Sequence, residues 1–152
     1  MKITLFVIAL TYGSTPYEWG GQNYSGLDCS GLVVNTLRDA GILVPDKTAQ
    51  GLYWWAKKQN TQSCDAGENC LVFYGKDEDN ITHISISSDD GDFVIEAGGA
   101  GKNSLTMSAK ELALRDARVR IRPLGHRKDV LTAYRINIKN KDNYPLTTSK
   151  KL

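Results

Sequence analysis

The chain has 152 residues, 41% of them hydrophobic, with a formal net charge of +2. That length fits one domain with a real core, and so slight a positive balance makes no case for a nucleic-acid partner. Three cysteines cannot all pair, which excludes a disulfide scaffold.

Met1-Lys2 and the apolar run that follows, residues 3–10, resemble the front of a signal peptide. The run is far shorter than the roughly 20 residues of a membrane span. The competing reading is an amphipathic first helix stopped by Gly13 and Pro16. We prefer the helix, because cleavage near Gly13 would leave Tyr17 almost at a frayed terminus. On that reading the chain carries no secretion address of its own.

Next comes Tyr17-Glu-Trp-Gly-Gly-Gln-Asn-Tyr-Ser-Gly-Leu-Asp28-Cys29-Ser30-Gly31-Leu32-Val33. It sets a cysteine between a turn-rich loop and an apolar run, in which Leu32, Val33, Leu37 and Ala40 keep helical spacing up to Gly41. Helix N-terminal N–H groups and the macrodipole stabilise a thiolate and lower its pKa. Cys29 is therefore a candidate nucleophile; a small buried side chain is the bland alternative.

Residues 48–58 predict a further helix, with Trp54 and Trp55 as core and cleft wall. Residues 60–69 are a polar loop, and the thiols of Cys64 and Cys70 could bridge or stay reduced. Strand signals follow at 71–74 and at 82–88, where Ile84 and Ile86 alternate with His83, Ser85 and Ser87. Asp89-Asp90-Gly91-Asp92 predicts a hairpin turn and 93–97 its return strand. A short helix over 108–116 and alternating strands over 118–124 and 132–139 complete the pattern. Helices first and antiparallel strands afterwards argue α+β. From residue 140 the chain is polar and lysine-rich, giving a domain over 1–139 and a loose tail over 140–152.

A thiol peptidase needs an imidazole to move the proton and a group to orient that imidazole. His83 and His126 are the two histidines. His83 opens an alternating strand and is the natural partner of Cys29. His126 lies in Gly125-His126-Arg127-Lys128, a turn where surface exposure is expected. Around the hairpin, Glu96 lands near His83 across the ladder and is the candidate orienter.

The order Tyr-x-Trp-Gly-Gly, Asp-Cys-Ser-Gly-Leu-Val, Thr-His-Ile-x-Ile and Val-Ile-Glu-Ala resembles the NlpC/p60 cysteine peptidases. The resemblance implies a stripped-down papain-like fold, with N-terminal helices packed on a C-terminal antiparallel sheet. It further implies cleavage of peptidoglycan stem peptides, typically between D-glutamate and diaminopimelate or lysine. Carried over position by position, Cys29 matches the nucleophile and His83 the general base. Glu96 falls where many members have histidine, asparagine or glutamine and some have glutamate. Tyr17 matches the tyrosine that holds the oxyanion together with the Cys29 N–H. Asp28 and Ser30 match positions that contact the stem peptide, and Asp28 also suits an N-cap. Trp19, with Gly20 and Gly21, shapes the substrate-binding wall.

Three departures touch substrate detail. The loop between His83 and Glu96 is one residue longer than usual, which suggests a bulge. Asn69-Cys70-Leu71 replaces Gly-Asp before an apolar strand, and Pro45-Asp46-Lys47-Thr48 replaces proline–arginine–threonine.

Other signals carry less. The run Gly98-Gly99-Ala100-Gly101-Lys102-Asn103 imitates a phosphate loop without its spacing. Cys64, Cys70 and His83 fit no zinc pattern. Arg118, Arg120 and Arg122 line one strand face, read as a solvated face. Asn23-Tyr24-Ser25 and Asn80-Ile81-Thr82 match the glycosylation pattern, which short sequences meet by chance.

The expectation is a cysteine endopeptidase whose partner is a peptidoglycan stem peptide, with no metal or organic cofactor implied. A compact hydrolase of this kind would suit delivery by a larger virion or secretion assembly, such as a phage tail, a lysis cassette or an injected antibacterial effector. The alternatives are a structural tail or assembly protein that kept the fold, and an amidase or transferase of the same superfamily.

Overall fold

The computed structural model describes residues 2–59 and 63–138. The tail expected over 140–152 lies outside the described residues.

Thr4 caps helix α1 (Leu5–Ala9), its hydroxyl accepting the Val7 N–H. A 3₁₀ turn over Leu10–Tyr12 continues the helix and Gly13 ends it. Leu5, Ile8, Ala9 and Tyr12 are buried, so the apolar start of the described chain is a core helix. A two-residue hairpin, β1 (Gln22–Asn23) and β2 (Gly26–Leu27), leads into α2 (Cys29–Asp39). Helix α3 (Ala49–Lys58) is capped by Thr48.

The strands β3 (Cys70–Gly75), β4 (Ile81–Ser87), β5 (Phe93–Gly98), β6 (Arg118–Pro123) and β7 (Val130–Arg135) form one antiparallel sheet, ordered β6-β5-β4-β3-β7. A short helix α4 (Ala109–Leu114), closed by a Ser108–Glu111 capping box, connects β5 to β6. The helices-then-sheet order expected from the sequence is the observed α+β architecture. Leu71, Phe73, Ile84, Ile86 and Ile95 face the helices and join Leu32, Val33, Leu37 and Leu52 in one core.

The other face of the sheet departs from expectation. Alternation in β4 puts His83, Ser85 and Ser87 together on its polar side, yet all three are buried. They lie with a second cluster of Cys70, Val72, Tyr74, Val94 and Ala133, against which Cys64 and Leu124 pack. The buried polar atoms are partnered as burial requires. Tyr74 Oη and Ser85 Oγ are 2.8 Å apart, and Ser87 Oγ accepts the Gly67 N–H at 2.8 Å. Cys64 and Cys70 are disulfide-bonded, which resolves the open choice about those thiols.

The ladder between β4 and β5 pairs Ile86 with Ile95 and Ser87 with Val94. The register shifts fall instead on β3, at Tyr74/Gly75 against β4 and at Phe73/Tyr74 against β7. Among the described residues, no helix is long and apolar enough to cross a membrane.

Candidate active site

Cys29 is the first residue of α2, and Asp28 fixes it there. The Asp28 backbone is extended (φ −97°, ψ −176°), and its Oδ1 accepts the Gly31 N–H at 2.7 Å. Ser30 Oγ donates to the same oxygen at 3.2 Å, while Oδ2 accepts the Gly20 N–H at 2.9 Å. One carboxylate thus caps the helix and ties the Trp19–Gly20 loop to it. Gly31 permits this closeness, because a Cβ there would run into the Gly21 carbonyl.

His83 projects from β4 and Glu96 from β5, on the face away from the helices. Their side chains meet with His83 Nε2 and Glu96 Oε1 2.8 Å apart. Glu96 is only 1% exposed, and its charge is answered three times. Besides His83, Arg120 Nε donates to Oε2 at 3.1 Å, and His126 Nε2 lies 3.2 Å from Oε1. Burial by itself would raise the Glu96 carboxyl. The hydrogen bond and charge of His83, then the charges of His126 and Arg120, more than reverse this and hold it at about 2. Glu96 is therefore an anion throughout the range in which a peptidase works.

Two clefts border Cys29. The first, about 310 Å³, is lined by Cys29, His83, Glu96, Arg120 and His126, with the Gly98–Gly101 loop as its wall. The second, about 320 Å³, is lined by Asp28, Cys29, Ser30, Thr48 and Gln50. Tyr17 and Trp19 border both. Tyr17 is 5% exposed, whereas Trp19 is half-exposed and offers its ring to whatever enters. Burial first, then the negative charge that Cys29 and Asp28 can carry, push the Tyr17 hydroxyl far up. It keeps its proton and can donate.

The thiol does not follow the simple expectation for a helix start. Burial, then the Asp28 carboxylate, push Cys29 up to about 12, with Glu96 adding to this. The backbone N–H groups of Ile84 and Ser30 pull the other way but do not win. A free thiolate is thus not given by the helix terminus alone. The proton has to pass to a base, and His83 lines the same cleft. With Nε2 on Glu96, the nitrogen left to His83 for such a transfer is Nδ1.

The fold brings together every residue the sequence singled out for the site: Tyr17, Trp19, Asp28, Cys29, Ser30, His83 and Glu96 all border the two clefts. Three groups set aside on sequence grounds belong there too. His126 is not a bland surface residue, its side chain being only 10% exposed. Arg120 is not on a solvated face, because β6 pairs with β5 and sets it directly opposite Glu96. The glycine run that imitated a phosphate loop forms cleft wall. Trp54, by contrast, is exposed on α3 under the Lys57 ammonium instead of being core.

Comparison with known proteins agrees with this geometry. The model of the NlpC/P60 family matches residues 14–118. The chain is 42% identical over 86 residues to the bifunctional muramidase/DL-endopeptidase CwlT of Bacillus subtilis, an alignment covering 55% of this chain and 25% of that protein. It is 31% identical over 87 residues to the peptidoglycan endopeptidase LytE of the same organism, covering 57% of this chain and 24% of LytE. The chain thus spans about a quarter of the length of these relatives. Among solved structures, the NlpC/p60 domain of the peptidoglycan hydrolase SagA superposes with a TM-score of 0.62 at 20% identity, covering 88% of this chain and 97% of that one. An NlpC/P60 family protein from Bacillus cereus gives a TM-score of 0.63 at 18% identity, covering 91% of this chain and 41% of that one. At such identities the structural likeness speaks for the fold, and the family match covers more than half of the chain: it belongs to the NlpC/P60 family.

Proposed function

We propose that this chain is a cysteine endopeptidase that hydrolyses an amide in peptidoglycan stem peptides, between D-glutamate and diaminopimelate or lysine. The observation that carries the reading is one cleft holding Cys29 at a helix start and a histidine whose Nε2 is taken by a buried carboxylate. The relatives CwlT and LytE, named as endopeptidases, support the substrate class.

In this mechanism His83 Nδ1 takes the Cys29 proton as Sγ attacks the scissile carbonyl carbon. Glu96 holds the Nε2–H and stabilises the imidazolium that forms. As the first residue of α2, Cys29 has a backbone N–H with no acceptor inside the helix. That N–H and the Tyr17 hydroxyl receive the oxyanion. Collapse of the tetrahedral intermediate expels the amine, which His83 protonates. Water then attacks the thioester, with His83 again as base, and frees the thiol.

The test is mass spectrometry of purified sacculi digested with the wild type and with Cys29→Ala. Stem-peptide fragments ending at D-glutamate are expected from the wild type and none from the variant. Undiminished release by Cys29→Ala would overturn the mechanism, and cleavage at another amide would overturn the bond assignment.

A further inference from the structure

His126 is the second imidazole on Glu96, contributed by the connection between β6 and β7. That connection is braced on several sides. Leu124 N–H donates to Asp92 O at 2.9 Å, and Gly75 N–H donates to Asp129 O at 2.9 Å. Arg127 forms two hydrogen bonds to Asp129, at 2.9 and 2.7 Å, with its guanidinium 5.0 Å from the centre of the Tyr74 ring. The His126 ring is thereby held with Nδ1 3.1 Å from Pro123 O and Nε2 3.2 Å from Glu96 Oε1. Both neighbours are acceptor oxygens, so the ring has a donor's place at each nitrogen and forms an ion pair with Glu96 when it is protonated. The oxygen that His126 faces is the one that receives His83.

We propose that His126 is a positioning residue for the Cys29–His83 pair, acting through Glu96. It fixes Oε1 under His83 Nε2, and its charge moderates the pull of Glu96 on the His83 imidazolium. The inference rests on the reading of Cys29, His83 and Glu96 given under the proposed function. The charged and titratable groups around the cluster are Glu96 from β5, Arg120 from β6, Arg127 and Asp129 beyond β6, Tyr74 from β3, His83 from β4 and Cys29 from α2. Arg120 holds the other carboxylate oxygen. Removing His126 therefore leaves Glu96 paired with Arg120 and His83 but takes the second brace off Oε1, and with it the positive charge that the ring brings to the proton-transfer pair when it is protonated.

Two variants separate these effects. His126→Gln keeps one N–H donor and loses the charge; His126→Phe loses both. With a soluble stem peptide ending in diaminopimelate, kcat is expected to fall about threefold in the first and about tenfold in the second, with KM within about twofold. The acid limb of kcat/KM should move to higher pH by about 0.5 unit in both, because the doubly protonated pair then sits beside one cation fewer. Alkylation of Cys29 by iodoacetamide gives the same limb without any substrate and should move in the same direction. Wild-type kcat together with an unmoved limb in both variants would overturn the role of His126. Cys29→Ala distinguishes the two levels of failure. If it is inactive while the His126 variants match the wild type, only this inference falls; if it is fully active, the peptidase reading falls first.

Discussion

His83 Nε2 lies 2.8 Å from Glu96 Oε1, although the two residues are 13 positions apart and neither pairs with the other in the ladder between β4 and β5. The contact is a diagonal one, made between side chains on the same face of neighbouring strands. It joins an imidazole lining the Cys29 cleft to a carboxylate that water barely reaches.

Replacing Glu96 by glutamine tests that contact. The amide is almost the same size, so packing survives, but it carries no charge to answer the Arg120 guanidinium or a protonated imidazole beside it. kcat is expected to fall about 10- to 100-fold, and stability by about 3 kcal/mol, because the cations around a buried position lose their anion. Stem-peptide turnover and urea unfolding check the two parts. A wild-type rate would show that another residue orients His83.

The same carboxylate predicts how the fold responds to acid. Glu96 is held at about 2 in the folded protein against an ordinary 4.5. A depressed carboxylate contributes stability that is fully present above its unfolded value and is lost as pH falls through its folded one. The window is therefore about pH 4.5 down to 2, and the contribution at neutral pH is on the order of 3 kcal/mol. Urea unfolding of the wild type and of Glu96→Gln at pH 6 and near pH 2 should show the difference between them shrinking at the lower pH. A constant difference would mean that Glu96 titrates alike in both states.

What was legible in the sequence was what depends on near neighbours. Asp28-Cys29-Ser30-Gly31 announces a capped helix start, and Asp89–Asp92 between alternating runs brings His83 and Glu96 to adjacent strands. Arg120 and His126 were not legible, because their place depends on which strand β6 chooses. Pairing β6 with β5 sets Arg120 opposite Glu96 and onto its Oε2, and the following turn then carries His126 onto Oε1, the oxygen that also meets His83. The Arg-x-Arg-x-Arg alternation over residues 118–122, a row of cations able to reach a strand glutamate, was the available hint. The glycine run, set aside as an imitation of a phosphate loop, was not legible as cleft wall for a related reason. Gly99 has φ +100°, and a Cβ there would lie 2.7 Å from Ala117 Cα. Its glycine answers a close approach of the chain before β6 and not a phosphate.

The raised Cys29 thiol makes His83 testable without substrate. Because burial and neighbouring carboxylates push the thiol up to about 12, few free thiolates form near neutrality unless a base takes the proton. His83→Ala is expected to slow iodoacetamide alkylation of Cys29 at pH 7 by at least about tenfold, read by mass spectrometry of the Cys29 peptide. Equal rates in both proteins would remove His83 from the role of base.

Asp28 offers the sharpest contrast between a structural and a substrate-contacting role. Its Oδ1 already takes the Gly31 N–H and the Ser30 hydroxyl, and its Oδ2 takes the Gly20 N–H. Those three donors are what hold the α2 start and the Trp19–Gly20 loop in one geometry. Losing an N-cap costs about 1 kcal/mol, and freeing the loop adds to that, so Asp28→Ala should lower stability by about 2 kcal/mol. Asp28→Asn keeps an acceptor oxygen for the cap and should recover about half of the loss. Its amide nitrogen cannot accept from Gly20, so the loop stays loosened. Without its charge, a cause raising the Cys29 thiol also disappears. The two variants should then alkylate at Cys29 at lower pH than the wild type while binding substrate less well. Urea unfolding together with the pH profile of alkylation decides the matter: unchanged stability in Asp28→Ala would mean that the carboxylate serves the cleft and not the helix.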